Sequence, residues 1–294
     1  MRLKDVEYRK LDPLQRALYI NARRMFLRKP ESKTIYVTSL FTPIRQYFLR
    51  KRHGREIWEN LKLEDLDKFF WALDGSAMHA YLANFKVRHA WQDVKRLTMK
   101  VKDYTIVGRP DLYYLRKRKL IDYKKTSVFH QNQIVSDSLY QLNAYRLMLW
   151  MQGYSVKSMQ LEVIYKDWQE SKKLSDSDYP PSFHATLPVP FLNLRKLYNK
   201  IYQRVLMFEI CQDLDDDLLP YCTPEERWAK ADTWAVMKKG QKRAVRVLNS
   251  ENAAISYGKT IPGAYIEYRA GSSVRCERFC DVAPWCTQYQ KEKE

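Results

Sequence analysis

The most constraining part of the sequence is a run of short apolar segments between residues 97 and 124, because the connections between them are too short to hold a helix. Segments rich in β-branched and aromatic residues and bounded by turn residues are typical of strands. Their order predicts a meander of short strands: Leu97–Val101, Tyr104–Val107, Asp111–Leu115 and Leu120–Lys124. The last two would form a hairpin through the basic turn Arg116–Lys119.

Helices are predicted on both sides of this meander. Apolar residues recur at intervals of three and four over Leu66–Val87, which is the pattern of a helix with one apolar face. Further elements follow from the same criteria: helices at Leu14–Arg28, Pro43–Arg52, Tyr140–Gln152 and Pro190–Cys211, and a strand at Met159–Tyr165. At 294 residues the chain is long enough for one enlarged α/β domain, or for a core with a small appendage.

A domain boundary is predicted near residue 215, where the segment Asp213–Pro220 interrupts the last long helix. We expect residues 1–215 to form a core with a basic helical N-terminal extension, and residues 216–294 to form a small α+β unit. That unit would contain three strands and one short helix: Thr233–Met237, Val245–Leu248, Ala264–Arg269 and Ser250–Tyr257.

The charge of the chain favours a polyanionic partner. Lys and Arg total 52 against 34 Asp and Glu, a formal net charge of +18, and such an excess attracts nucleic acid through long-range fields and counterion release. Aromatic residues, at 14%, add faces on which bases stack. The N-terminus shows no apolar signal region, and no apolar run is long enough to span a bilayer. We expect a soluble, intracellular (cytoplasmic) protein without a membrane partner.

Two aspartates and a lysine on the predicted hairpin suggest a site for hydrolysing phosphodiester bonds. That reaction needs carboxylates that hold one or two hard divalent cations, and it benefits from a cation beside the attacking water. Residues i and i+2 of a strand share a face, so Asp122 and Lys124 would project together. The hairpin would bring Asp111 back beside Asp122, which completes the set.

The Asp-x-Lys pattern alone is not specific. Asp93-Val94-Lys95 carries it too, and Glu170-Ser171-Lys172 carries its Glu form. Both lie in polar surroundings and are predicted to be ordinary surface charge. The Asp122 site differs because it follows an apolar strand and has a Pro-Asp partner on the preceding one, so a salt-bridged surface hairpin is the less favoured interpretation.

Further residues around this site form an ordered set of motifs: Gly75-Ser76-Ala77-Met78-His79, Gly108 with Asp111, Asp122-Tyr123-Lys124, and Gln141-Leu142-Asn143-Ala144-Tyr145. The set, over roughly residues 35–165, resembles the RecB/AddB-type branch of the PD-(D/E)XK nucleases, which includes phage exonucleases and CRISPR-adaptation nucleases. The resemblance implies a restriction-endonuclease-like core, with a mixed central sheet flanked by helices.

The resemblance also implies roles for individual residues. Four groups would hold Mg²⁺ or Mn²⁺: His79, Asp111, Asp122 and the backbone carbonyl of Tyr123. Lys124 would be the catalytic lysine. Gln141 and Tyr145, four apart on one helical face, would contact the DNA backbone or order the site. Taken singly, the histidine, the glutamine and the tyrosine are each compatible with a purely structural role.

All five cysteines lie in the last third of the chain, and four of them form a group: Cys222, Cys276, Cys280 and Cys286. In a reducing compartment such grouping points to metal binding rather than to disulfides. Four thiolates can form a tetrahedral zinc site or bind an iron–sulfur cluster. The spacing is similar to that of the iron–sulfur members of the branch, but those members have another cysteine near the position of Pro43, and this chain has none before Cys211. Zinc, iron–sulfur and unligated cysteines therefore all stay open, and Cys211 is expected in the core.

Together these observations predict a metal-dependent DNA exonuclease acting on duplex ends or single strands, in a setting that by resemblance is phage recombination, repair or replication. Basic segments such as Arg116–Lys119 and Arg50–Arg55 would line a positive groove without sequence preference. A recombination or annealing protein is a further candidate partner. The alternatives are a structure-specific endonuclease or CRISPR-adaptation-type end trimmer, a non-catalytic DNA-binding protein on a nuclease fold, and an RNase.

Overall fold

The computed structural model describes residues 2–27, 31–85, 87–92, 96–131, 134 and 136–293. The chain divides into two compact units. The core unit comprises Met1–Thr42 and Gly54–Asp213, and the cysteine unit comprises Pro43–His53 and Leu214–Glu294. Within the described ranges, no helix is long and apolar enough to cross a membrane.

Short strands and helices alternate along the chain. The strands are β1 (Thr34–Tyr36), β2 (Ala90–Gln92), β3 (Leu97–Val101), β4 (Tyr104–Gly108), β5 (Leu112–Tyr114), β6 (Lys119–Thr126), β7 (Ser158–Tyr165), β8 (His184–Pro188), β9 (Ala229–Lys230), β10 (Thr233–Lys238), β11 (Arg246–Leu248), β12 (Ala264–Arg269) and β13 (Ser272–Ser273). The α-helices are α1 (Pro13–Leu27), α2 (Val37–Leu40), α3 (Ile44–Asn60), α4 (Phe70–Ala83), α5 (Ser136–Met151), α6 (Glu170–Ser175), α7 (Leu194–Cys211), α8 (Pro224–Arg227), α9 (Glu251–Gly258), α10 (Val274–Arg278) and α11 (Thr287–Lys293).

The core unit is built on a five-stranded mixed sheet in the order β2-β5-β6-β7-β8. Strands β5 and β6 form the predicted antiparallel hairpin, and β6 pairs in parallel with β7 along its whole length. Parallel neighbours need a long crossover, and helix α5 lies in that connection. A second sheet of the unit has the order β1-β4-β3. The predicted α+β class, with a mixed sheet and helices around it, is confirmed.

Strand β6 is fixed in the centre of its sheet by apolar packing. Its residues Leu120 and Ile121 are buried, and helix α5 packs on β3 and β6 through a buried face that includes Leu142, Ala144, Leu147, Met148 and Leu149. Each large apolar side chain buried in this way contributes about 1.5–3 kcal/mol to the free energy of unfolding. The position of the next residue on the strand, Asp122, is therefore set by the core around it.

The predicted helix Leu66–Val87 differs from the observed one at its start. Residues Leu63–Phe69 form a 3₁₀ helix, and α4 begins only at Phe70. The Asp65 side chain accepts a hydrogen bond from the Lys62 N–H at 2.8 Å, and this local bond stabilises the tighter turn ahead of the α-helix.

The other differences concern ends and short strands. Helix α7 begins at Leu194 rather than at Pro190, because the Asn193 side chain caps it by accepting the Lys196 N–H at 3.0 Å. The sequence does not predict β1 or β2, which have three residues each and are too short to show a clear periodicity. It does not predict β8 either, a strand without a buried residue that ends in proline. Of the two competing motifs, Asp93-Val94-Lys95 lies outside the described residues. Glu170-Ser171-Lys172 starts the exposed helix α6, as surface charge would.

The cysteine unit has its own small sheet, with the antiparallel order β11-β10-β12, on which helix α9 packs. Strands β13 and β9 form a separate pair. The first half of α3 is tied to the rest of this unit by charge pairs: Arg50 Nε lies 2.6 Å from Asp281 Oδ2, and Arg52 Nη1 lies 2.6 Å from Asp216 Oδ1. The basic run of α3 is thus engaged, at least in part, in structural ion pairs.

Candidate functional site

The two predicted aspartates lie side by side because of the β5–β6 hairpin. Continuing the hairpin register by one residue places Asp111 opposite Asp122. Asp111 Oδ2 accepts a hydrogen bond from the Tyr123 N–H at 2.8 Å, and Lys124 Nζ lies 2.8 Å from Asp122 Oδ2. The structure therefore brings Asp111, Asp122 and Lys124 together in one place.

Asp122 is a carboxylic acid inside the core, with only 1% of its surface exposed. Burial raises the pKa of its carboxyl to about 6, and the nearby negative charge of Asp111 adds to the rise. The Lys124 ammonium opposes that rise, because it stabilises the ionised form. Near neutral pH the carboxylate is therefore held ionised against an unfavourable environment.

Gln141 links the two charged groups of strand β6. Its Oε1 accepts a hydrogen bond from Lys124 Nζ at 3.2 Å, and its Nε2 donates to Asp122 Oδ1 at 3.1 Å. The same Nε2 lies 3.2 Å from the hydroxyl of Tyr145, one helical turn further along α5. Of the two roles expected for Gln141 and Tyr145, the arrangement supports the ordering of the site.

His79 reaches the site from helix α4. Its Nδ1 lies 3.2 Å from Asp111 Oδ1, and the hydrogen bond to this carboxylate raises the pKa of the imidazole. The ring also meets the Tyr123 ring edge-on, with 6.5 Å between the centroids. Three separate elements, α4, α5 and the hairpin, therefore contribute side chains to the site.

Gly108, at the end of β4, is required by the approach of Tyr145. A Cβ at this position would lie 2.4 Å from Tyr145 Cε1 and 2.9 Å from Val37 Cγ2, far inside van der Waals contact. Burial raises the pKa of the Tyr145 hydroxyl, so it stays protonated. Beside these residues lies a cleft of about 300 Å³ whose lining includes Thr38, Arg96 and Arg109. In the sequence, this glycine could be recognised by its position between a predicted strand and Pro110-Asp111.

The donor atoms fit a hard divalent cation. Asp122 Oδ2 is buried and is met by the Lys124 ammonium at 2.8 Å. Asp111 and Asp122 place two carboxylates on neighbouring strands, and a divalent cation coordinated by carboxylate oxygens would offset the repulsion between their negative charges. Among the described residues no three His, Cys, Asp or Glu side chains are gathered as a complete ligand set. His79 and Lys124 instead pair with the carboxylates.

A second candidate site lies in the cysteine unit. The four grouped cysteines line one small cavity of about 20 Å³: Cys222, Cys276, Cys280 and Cys286. Gln288 positions the first of them, because its side chain accepts the Cys222 N–H at 2.8 Å and donates to the Cys222 carbonyl at 3.0 Å. Cys211 is fully buried in α7, in agreement with the core position expected for it. The cavity has room for about one water-sized particle, so a single ion needs less rearrangement than a cluster.

The same cavity is lined by a buried arginine. Arg45 is 1% exposed; it donates hydrogen bonds to the Leu219 carbonyl and the Thr287 hydroxyl, while its Nε has no partner. No carboxylate of the described residues forms an ion pair with it. Burial raises the pKa of the Cys222 thiol to about 12 and that of Cys280 to about 11. Four thiolates around a metal ion would give this arginine a negative partner, so the donor types suit a thiolate-bound metal. Among the described residues, however, the four thiols are not gathered as a metal-ligand set.

No protein-family model and no curated protein matches this chain. A solved structure of the protein SSO0001 is 18% identical, with a TM-score of 0.44, over 65% of this chain and 84% of that one. A phage-related exonuclease from Haemophilus somnus 129PT is 13% identical, with a TM-score of 0.30, over 63% of this chain and 88% of that one. Likeness at this level carries no functional argument, so the function is argued from the site itself.

Proposed function

We propose that this chain is a metal-dependent nuclease that hydrolyses DNA as an exonuclease. One observation carries the proposal: the buried Asp122 carboxylate lies across the hairpin from Asp111 and is paired with Lys124 at 2.8 Å. Carboxylates held in this way beside a lysine are the parts that metal-assisted phosphodiester hydrolysis uses. The formal charge of +18 supports a polyanionic substrate.

Mg²⁺ or Mn²⁺ would be held by four groups: His79, Asp111, Asp122 and the backbone carbonyl of Tyr123. When bound, such an ion supplies an activated water and neutralises negative charge on the phosphate. Lys124 contributes a positive charge next to the reacting phosphate, where it stabilises developing negative charge and orients the attacking water. Gln141 fixes this ammonium and Asp122 with a single amide, so both are held before substrate arrives.

The cleft beside Tyr145 supports a polyanionic substrate as well. Arg96 and Arg109 line it together with Thr38 and Glu31, and Arg96 is paired with Glu31 at 3.2 Å. Arg109 and Thr38 are therefore the groups that would donate hydrogen bonds to phosphate oxygens in a sequence-independent way. Substrates are therefore expected to be duplex ends or single strands of any sequence, in phage recombination, repair or replication, with a recombination or annealing protein as a candidate partner.

The test compares nucleotide release from linear duplex DNA with Mg²⁺ by the wild type, Asp122→Ala and Lys124→Ala. The expected loss is about 10²–10³-fold or more for each variant, the size typical of removing a group that stabilises the transition state. Glu170→Ala and Lys172→Ala are matched controls, because they alter the same motif type on the exposed helix α6 and should keep wild-type rates. Equal release by all five proteins would refute the site.

Two further substrates and one binding measurement separate the alternatives. An exonuclease leaves covalently closed circular DNA intact, whereas cleavage of the circle favours the structure-specific endonuclease. Degradation of RNA at the same rate favours an RNase. Binding of DNA without any cleavage by the wild type favours a non-catalytic DNA-binding protein.

We also propose that the cysteine unit holds a structural metal centre on Cys222, Cys276, Cys280 and Cys286, as zinc or as an iron–sulfur cluster. The supporting observation is that all four line one cavity together with the buried Arg45. Its guanidinium lies 5.1 Å from the centroid of the Tyr221 ring and forms no ion pair with a carboxylate among the described residues. Elemental analysis with a visible spectrum of the purified protein decides between the two metals. Bound iron with absorption at about 400 nm indicates an iron–sulfur cluster, and a colourless protein with bound zinc indicates a zinc site. A purified protein without either metal would refute the centre.

A further inference from the structure

Helix α4 is apolar around most of its circumference, yet it is left open by the rest of the chain. Its fourteen residues include one acidic residue, Asp74, and no Lys or Arg, and none of the fourteen is buried. Phe70, Trp71 and Tyr81 are 40%, 56% and 64% exposed, and Phe85, just past the end of the helix, is 53% exposed. A helix that is apolar all round is normally enclosed by other elements, so this surface is of the kind that another molecule covers.

One side of the helix carries a continuous stripe, called the α4 seam below: Phe70, Leu73, Ala77 and Ala80. The intervals of three, four and three residues are those of the contact positions in paired helices. His79 projects from the opposite side, because it lies about 180° around the helix from Phe70, and His79 is the residue that contacts Asp111. The α4 seam therefore faces away from the candidate active site.

The seam and its ends are complementary in shape to a second copy of themselves. Rings stand at both ends, since the centroids of Phe70 and Trp71 are 5.1 Å apart and those of Tyr81 and Phe85 are 5.0 Å apart. Ala77, at the middle, is small, and small residues at the contact let two helices approach closely. In an antiparallel pair with its two-fold axis at Ala77, the first ring pair of each copy would lie against the second ring pair of the other.

The charges beside the helix favour the same antiparallel arrangement. Asp67 is exposed three residues before α4, and Arg88 is exposed five residues after it. Two-fold pairing about Ala77 would set Asp67 of each copy near Arg88 of the other, whereas a parallel pair would set each charge near its like. Opposite charges across an interface select the orientation of the partners.

The exposed surface has the size that a weak dimer needs. The four rings, each about half exposed, leave roughly 400 Å² of apolar surface per copy. A stable interface takes about 800 Å² from each partner. The rings therefore supply about half of that area, and the small residues of the seam and the charged flanks add to it.

We propose that α4 binds α4 of a second copy of this chain, antiparallel and along the α4 seam, to form a two-fold symmetric dimer. The contact uses no residue of the candidate active site, because His79 lies on the other side of the helix. The proposal is therefore independent of the proposed nuclease function.

Sedimentation equilibrium of the full-length protein, freed of nucleic acid, tests the dimer. The wild type should be mainly dimeric at about 100 µM, since a contact of this size gives a dissociation constant in the micromolar range. Ala77→Glu places two carboxylates at the two-fold axis and should weaken dimerisation by about a hundredfold or more. Ala77 is exposed in the single copy, so the variant should give the circular dichroism spectrum of the wild type. The matched control is Ala72→Glu, which adds the same charge at an exposed position of α4 outside the seam and should leave the dissociation constant unchanged.

Reversal of the flanking charges tests the orientation of the two helices. Asp67→Lys and Arg88→Glu should each weaken dimerisation by about threefold or more, because each creates two like-charge pairs. The double variant restores both pairs with the signs exchanged and should dimerise as the wild type does. A wild type that stays monomeric at about 100 µM overturns the proposal, as does an equal loss of dimer in Ala72→Glu and Ala77→Glu. A double variant that dimerises more weakly than either single variant overturns the antiparallel pairing.

Discussion

The carboxylate site and the cysteine cavity both contain buried ionisable groups, but the charges of these groups are balanced differently. In the core unit Asp122 is buried with Lys124 at 2.8 Å, so the carboxylate already has a cation. In the cysteine unit the buried cation is Arg45, and the groups that share its cavity include Cys222, Cys276 and Cys280, thiols whose pKa is raised by burial. The first site is close to charge balance as it stands, whereas the second is balanced only if its thiols ionise.

The comparison indicates which site depends more on a metal. A thiol with a raised pKa becomes a thiolate at neutral pH only when a metal replaces its proton. The carboxylate site can be maintained by its own lysine and histidine, and a metal there serves chemistry. Substitutions in the two units test this contrast.

Cys280→Ser should abolish metal binding in the cysteine unit. Four-thiolate zinc sites contribute on the order of 10 kcal/mol to folding, so residues 214–294 should lose their resistance to proteolysis in the full-length protein. Metal content by elemental analysis and the protease pattern are the two measurements. Cys211→Ala is the control, since Cys211 lies in α7 and its loss should leave the metal content unchanged. Equal metal content in both variants would contradict the proposed centre.

Arg45→Met should change the stability of the protein in opposite directions, depending on whether the four cysteines bind a metal or stay as thiols. If four thiolates bind a metal, Arg45 balances a negative centre, and its removal should lower metal retention during dialysis against a chelator and lower the melting temperature. If the cavity holds only thiols, the substitution removes an unbalanced buried charge and should raise the free energy of unfolding. The size expected in either direction is a few kcal/mol. A higher melting temperature together with an unchanged metal content would contradict the proposal that Arg45 balances a negative metal–thiolate centre.

Asp122→Asn should stabilise the metal-free protein while it abolishes cleavage. The pKa of Asp122 is about 6 in the folded protein against an ordinary value of 3.8, so the folded state keeps the proton to higher pH than the unfolded state. The destabilisation from ionising this group is absent below about pH 4, develops as the pH rises to about 6 and is complete above it. The variant should gain about 3 kcal/mol at pH 7.5 and nothing at pH 3.5. Urea denaturation in EDTA measures this, and a gain of equal size at both pH values would contradict the assignment.

Gly108→Ala should displace Tyr145 and weaken the core unit. The added Cβ meets a buried ring at 2.4 Å, and such overpacking lowers the free energy of unfolding by about 1–3 kcal/mol. Cleavage should fall as well, because Gln141 shares a hydrogen bond with the displaced tyrosine. The matched control is Gly75→Ala in α4, where nothing lies within 4 Å of the new Cβ, and helix propensity should give up to about 1 kcal/mol of stabilisation. Thermal melting of the two variants gives the comparison.

The hairpin could be predicted from sequence because its information is local. Short connections fix the pairing of the strands, and the two-residue period places Asp122 and Lys124 on one face. For Gln141 the sequence left two roles open, contact with the DNA backbone or ordering of the site. It could not decide between them, because the two hydrogen bonds of this side chain depend on how α5 packs over β6.

Arg45 shows why the cysteine cavity could not be predicted from the sequence. In sequence it belongs to the basic helix α3 and looks like surface charge. Its burial depends on Leu219, 174 residues away, and on Thr287, 242 residues away. No local pattern carries a contact of that range, and the convergence of Cys222 on the other three cysteines has the same non-local origin.

The anchor of Asp111 is a peptide group rather than a side chain, since it accepts the N–H of Tyr123. Every amino acid except proline offers that N–H. Residue 123 can therefore vary in size and polarity without releasing the first aspartate, whereas the chain on either side of it cannot change in length. In related proteins that share this architecture, we expect the middle residue of the Asp-x-Lys motif to vary in type while the aspartate and the lysine stay the same. Proline is the one residue that we expect to be excluded there.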